Sequence, residues 1–254
     1  MVPGHEGAMS NPRLFRRALA EFTAITVGVL VALAIDSAWT ARGDRVLEQD
    51  YLGRVIEEVE GNARRVGGTV NGADWARDNL DRANRIAELG LPEDSATVFV
   101  ASLARATSFM ATPSISGAVV QDLVSTGNLR LIRDGEVRQA ILSMDADVKG
   151  RVRITFQAEA EVASGLEPLI SGFIPPHVVS REDQNYAITV AESSDARAAL
   201  IRAANHIVGD PMFRRALNAE YRRLQRGRET SVRLKSMLDG YAERLASMVQ
   251  GGTT

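Results

Sequence analysis

ALAEFTAITVGVLVALAIDSAW, residues 18–39, is the stretch on which the fold turns, because it alone has no sensible place as a solvated surface helix. Ala20, Ala24, Gly28 and Ala32 recur every four positions and so share one helical face, where a second helix could approach closely. Asp36 falls next on that face. The uncharged part, Phe22 to Ile35, is only fourteen residues, short of the roughly 20 that a ~30 Å hydrocarbon core requires. The shortfall is eased if Glu21 and Asp36 lie near the two interfaces, with Phe15 and Trp39 as aromatic ends. A transmembrane helix over 18–39 is therefore the expectation. The rival readings are a buried core helix and a signal peptide with Ala32-Leu33-Ala34 before its cleavage site.

The flanks support an anchor. Residues 1–17 carry Pro3, Gly4, Gly7 and Asn11-Pro12, which resist helix, followed by Arg13, Arg16 and Arg17. These arginines can lay their stems along the apolar segment and their charges among headgroups, so they are read, with Trp39, as membrane-interface anchors. A short positive leader is expected to stay inside, although Arg42 and Arg45 weaken the contrast. The expected arrangement is single-pass in the inner membrane, with the N-terminus in the cytoplasm and residues 40–254 as a periplasmic domain.

Composition bounds the remainder. A 254-residue chain with 45% hydrophobic and 24% charged residues is neither disordered nor polytopic. A formal charge of −2 speaks against a nucleic-acid partner, which would demand a basic field. With no cysteine there is no thiolate catalysis, disulfide or iron–sulfur ligation.

Beyond Trp39 the pattern is helical throughout. Leu47, Tyr51, Leu52, Val55, Ile56 and Val59 continue the anchor as a stalk, and Gly67-Gly68 with Asn71-Gly72 predict its end. A second helix is expected over Asp74–Leu89, closed by Gly90 and Pro92, and a third from a Ser95 cap. Thr112-Pro113 suggests the cap and first-turn proline of a fourth, stopped by Gly127. Asp134 caps a long helix whose seam runs from Val137 through Ile141, Met144, Val148, Val152 and Phe156 to Leu169. Residues 177–193 read as loop, although Tyr186–Val190 has strand character. Helices from Ser194 and from an Asp210-Pro211 cap complete an all-α bundle, its two long helices packed antiparallel.

At GVLVALAIDSAW and at DLVSTGNLRLIRDGEVRQAIL the chain resembles an uncharacterised bacterial family of single-span membrane proteins with a helical extracytoplasmic domain. The two motifs cover under a third of the chain, and the exit Asp36-Ser37-Ala38 departs from the amides usual in that family. The resemblance implies anchor and fold and brings no activity with it.

No chemistry is legible. His5, His177 and His206 have no i, i+4 partner for a metal. GGTVNG at 67–72 lacks the lysine and hydroxyl of a phosphate loop, and Ser114-Ile115-Ser116-Gly117 is no nucleophile elbow. Glu57, Glu58, Glu159 and Glu161 suit helix faces. Arg214, Arg215, Arg222, Arg223, Arg226 and Arg228 are spread around the last helix and are expected to pair with acids such as Glu57, Glu58 and Glu60; contact with anionic lipid or an acidic protein is the alternative.

The expectation is thus a non-enzymatic scaffolding subunit without catalytic, cofactor or metal residues. Its partners would be membrane lipid and the transmembrane helices of a larger complex, photosynthetic or respiratory, or of its own copies, met by the docking face Ala20, Ala24, Gly28, Ala32 and Asp36. The alternative is an extracytoplasmic sensor or ligand-binding module, which would need a separate membrane partner to pass its signal on.

Overall fold

The computed structural model describes residues 12–110, 112–162, 166–173, 179–182, 187–190 and 193–251. The leader 1–11, His5 and His177 lie outside them. The fold is all-α, as its periodicities require: α1 (Pro12–Glu88), α2 (Ala96–Ser108), α3 (Ala118–Ser125), α4 (Gly135–Val162), α5 (Glu167–Phe173), α6 (Ser194–Gly209) and α7 (Phe213–Gly251). A small antiparallel hairpin, β1 (Val179–Glu182) with β2 (Ala187–Val190), pairs Val179 with Val190 and Glu182 with Ala187. It replaces the loop expected there: the strand character at 187–190 finds its partner a few residues upstream. The chain divides into two compact units, Met1–Tyr51 and Leu52–Thr254.

The first unit holds the apolar part of α1. In the second, α1 does not stop at Gly67-Gly68 or Asn71-Gly72, which corrects the turn expected there; it is helical to Glu88. Each helical glycine costs about 1 kcal/mol relative to alanine, and the loss is offset by packing. Val66, Ala73, Ala76, Leu80 and Ala83 are fully buried. Gly67 admits the stem of Lys235, whose Cε would lie 3.5 Å from a Cβ there. Gly90, at φ +82°, and Leu91, at +53°, then close the helix where Gly90 and Pro92 promise a stop.

The register of α1 on α7 can be read from its polar contacts. Gly67 faces Lys235, Asp74 binds Arg228 at 2.6 Å, Asp81 accepts from Tyr221 at 2.6 Å, and Glu88 meets Arg214 at 3.7 Å. Each step of seven up one helix is a step of seven down the other, so the two run antiparallel with a heptad match. α4 also packs on α7, where Tyr241 donates to Asp147 at 2.7 Å.

Inside lies one apolar cluster drawn from α1, α2, α5, α6 and α7. Phe99 of α2 meets Phe213 of α7 edge to face at a centroid distance of 6.0 Å. The expected α4 seam is buried at Val137, Ile141, Met144 and Val148 and leaves the core by Phe156, which is exposed.

Local chemistry explains several helix ends. The Asp134 carboxylate accepts from the Glu136 and Val137 amides, and the Ser193 hydroxyl accepts from Ala196, each as an N-cap should. Asp210 accepts from Met212 at 2.7 Å just ahead of α7. Two expected caps fail. Ser95 stands at the N-cap of α2 but makes no side-chain cap bond, because a short turn, Glu93–Ser95, already leads the chain in. Thr112-Pro113 starts no helix; α3 begins five residues later at Ala118 and is capped from another element.

Two phenols contribute to the alkaline limb of stability. Tyr221 is held well above its ordinary 10.0 by burial and by its bond to Asp81, and Tyr241 is raised by its bond to Asp147 and then by burial. Each stays protonated in the folded chain after the unfolded chain has ionised, so the unfolded state binds fewer protons above about pH 10 and stability falls there. Below that pH the contribution is complete. Urea midpoints measured from pH 8 to 11 should drop more steeply above pH 10 for the parent than for Tyr221→Phe. Equal slopes would show that the phenol carries no linkage.

Candidate functional site

Three features of the surface can do something chemically, and the first is the helix that opens the chain. Every residue from Glu21 to Thr40 is exposed, including Phe22, Ile25, Val29, Leu30, Leu33, Ile35 and Trp39. The helix is long and apolar enough to cross a membrane. Among the described residues none covers this stretch. The two threonines of its uncharged part, 22–35, are satisfied internally: Thr23 donates to the Leu19 carbonyl and Thr26 to the Phe22 carbonyl, both at 2.8 Å. Hydroxyls closed back onto the helix are what a lipid-facing surface needs, where no water completes them. Ala24, Gly28, Ala32 and Asp36 share an open face, and a Cβ at Gly28 would meet nothing within 4 Å. Ala20, Arg13, Arg16 and Arg17 are placed on α1 by backbone alone, and their side chains lie outside what is described.

The second feature is a bracket that α1 throws around the start of α3. The first turn of α3, Ala118-Val119-Val120, has no acid of its own and only Gly117 at its N-cap. Glu58 supplies the missing acceptor. Its carboxylate takes the Ser116 hydroxyl at 2.6 Å, the Ala118 amide at 2.8 Å and the Val119 amide at 3.2 Å. A negative charge at these free amides is favoured by the helix dipole as well as by hydrogen bonding. One turn on, Asn62 donates to the Ser116 carbonyl at 2.8 Å and accepts from its amide at 2.9 Å, while Arg65 holds the Asn62 oxygen. Glu58 is therefore a structural acceptor rather than a partner for the α7 arginines. Beside this bracket, segment 112–117 and α4 enclose an apolar groove of about 350 Å³, walled by Ile115, Val148, Val152 and Phe156. Asp145, Lys149 and Arg153 stand at its edge, the first two paired at 2.7 Å.

The third feature is α7, where the arginines sort into two sets. Arg214 reaches Asn84 and Glu88, Arg228 reaches Asp74, and Arg223 is buried with Glu220. Their partners are thus α1 and α7 acids, not the expected Glu57, Glu58 and Glu60; Glu60 is taken by Arg64. Arg215, Arg222 and Arg226 point to solvent. Arg223 also donates to the Phe109 carbonyl at 3.0 Å, satisfying an acceptor at the end of α2. Sequence reasoning missed this pair, since nothing in RRLQRGRE marks the second arginine as the inward one.

Of the histidines, His206 stacks flat on Phe173, at a centroid distance of 5.4 Å, and joins α6 to α5. Among the described residues no three His, Asp or Glu side chains gather as a metal site would require. Glu159 and Glu161 lie outside the described side chains. No protein-family model, curated protein or solved structure matches the chain.

Proposed function

We propose that the chain is a non-catalytic structural subunit, held by a single span and packing on a larger membrane complex. The observation that carries this reading is the fully exposed apolar helix 21–40, within whose uncharged part, 22–35, the two polar side chains, Thr23 and Thr26, are closed onto its own backbone. The face Ala24, Gly28, Ala32 and Asp36 suits close approach of another transmembrane helix, and the positive cluster Arg13, Arg16 and Arg17 suits an N-terminus kept in the cytoplasm with the main domain in the periplasm. The resemblance to a single-span bacterial family points the same way. Photosynthetic and respiratory complexes are the hosts proposed.

The test is made on the whole chain in its own membrane. The protein should resist extraction by alkaline carbonate and should leave the membrane in mild detergent together with other membrane chains. Gly28→Leu should keep the span and lose the partners. Release by carbonate would remove the anchor; a protein that runs alone, with Gly28→Leu unchanged, would remove the docking face.

The groove beside α4 favours a second reading, a ligand-binding or sensory module. About 350 Å³ walled by Ile115, Val148, Val152 and Phe156 is within the range of small-molecule sites. Thermal stabilisation by members of a metabolite panel would support it, and no shift across the panel would count against it.

A further inference from the structure

The outward arginines of α7 form a single row. On an ideal helix, at about 100° per residue, Arg215, Arg222, Arg226, Arg233 and Arg244 lie within about 20° of one line. The line is about 44 Å long at ~1.5 Å per residue. All five are exposed, and among the described residues none has an ion pair or side-chain hydrogen bond, although four of the other cations of the helix, Arg214, Arg223, Arg228 and Lys235, are all paired. Cations at steps of four, seven and eleven residues along one line repel one another slightly, and these make no ion pair within the fold.

We infer that this row is a docking surface for an acidic helix of a partner protein, one with carboxylates at matching steps of four and seven residues. The inner side of α7 already shows such a fit. There the α1 acids Asp74, Asp81 and Glu88, spaced by seven, meet Arg228, Tyr221 and Arg214. The outer row, at steps of seven, four, seven and eleven, presents its cations along one line with no acidic helix set against them among the described residues. One flank of the row argues for a helix over a lipid surface. On that side stand Asn218, Gln225, Glu229, Ser236 and Glu243, all exposed, while the other side carries Met212, exposed, with Met237 and Met248 half-buried. A helix lying on lipid would instead carry large apolar residues there, and the two carboxylates would oppose an anionic bilayer. A stripe one residue wide matches one partner helix.

The experiment uses the full chain in neutral detergent and two synthetic helical peptides of about 30 residues, enough to span the row at ~1.5 Å per residue. One carries glutamates on a single face at steps of four and seven; the other has the same composition with glutamates all round. The single-face peptide should bind about tenfold more tightly, a modest gain per exposed pair summed over several pairs. The fourfold variant Arg215→Gln, Arg222→Gln, Arg226→Gln, Arg233→Gln should lose that preference with its circular dichroism unchanged. If it does not fold, Arg222→Gln and Arg226→Gln singly should each weaken the preference. Equal binding of the two peptides overturns the inference, as does a preference that survives the substitutions. Retention by phosphatidylglycerol-containing micelles through these arginines, without peptide discrimination, would assign the row to lipid and overturn it as well.

Discussion

Replacing Arg223 by alanine should cost the fold about 3–5 kcal/mol, the loss typical when one member of a buried ion pair is removed. Both side chains are shut off from water, Arg223 at 9% and Glu220 at 7% exposure, and they meet at 2.6 Å through Nη2 and Oε1, with a second contact from Nε at 3.1 Å. Without the guanidinium, Glu220 must either remain charged in an apolar surround or take up a proton. The carbonyls of Phe109 and Ala106, which also face Nη2, lose a donor in the same step. Two comparisons separate these losses. Arg223→Ala with Glu220→Leu removes both charges and should recover much of the stability, because a pair replaced by apolar groups is often neutral. Glu220→Gln should cost less than Arg223→Ala, since it leaves a hydrogen-bonding group and the cation keeps its carbonyls. Urea unfolding followed by circular dichroism checks all three. An Arg223→Ala loss under about 1 kcal/mol would mean that water reaches the pair.

What could be read in the sequence, and what could not, divides along a physical line. Features whose cause lies within a few residues were legible: the exposed apolar helix, the caps at Asp134 and Asp210, the left-handed stops at Gly90 and Gly127, and the buried seam from Val137 to Val148. Features decided by a distant partner were not. Glu58 caps a helix some 60 residues away, whereas Thr112-Pro113 carries the local chemistry of a helix start and begins none. Whether Arg222 or Arg223 faces inward depends on where α1 and α2 dock, and one residue of rotation reverses the roles of neighbours. Val179–Glu182 looks like loop until Ala187–Val190 is seen to pair with it. The small-residue stripe Ala24, Gly28, Ala32 and Asp36 was legible too, and it is exposed along its length.

Gly72 is the sharpest instance, and it yields the other large effect. A glycine in Asn71-Gly72 looks the same locally whether it ends a helix or admits a neighbour, and here the neighbour is Phe109. A Cβ at Gly72 would collide with the Phe109 ring, with Cζ at 3.0 Å and Cδ2 at 3.2 Å and Cε2 nearer still. The ring cannot easily retreat, because Phe109 is 8% exposed and its carbonyl is held by Arg223. Two opposed terms then decide the sign of a substitution. A side chain in place of a helical glycine gains about 1 kcal/mol of propensity, while overpacking a tight core contact costs about 1–3 kcal/mol. Gly68, four residues earlier on the same helix, has nothing within 4 Å of its Cβ position and feels only the first term. Gly68→Ala should therefore stabilise the chain by up to about 1 kcal/mol, and Gly72→Leu should destabilise it by about 2–3 kcal/mol. Phe109→Ala makes a cavity and is costly alone, but in its presence Gly72→Ala should turn from harmful to helpful, a coupling that a double-mutant cycle reads directly. If Gly72→Ala and Gly68→Ala shift the urea midpoint in the same direction and by the same amount, Gly72 is no notch for Phe109, and the continuity of α1 through residues 67–72 must rest on its packing against α7 alone.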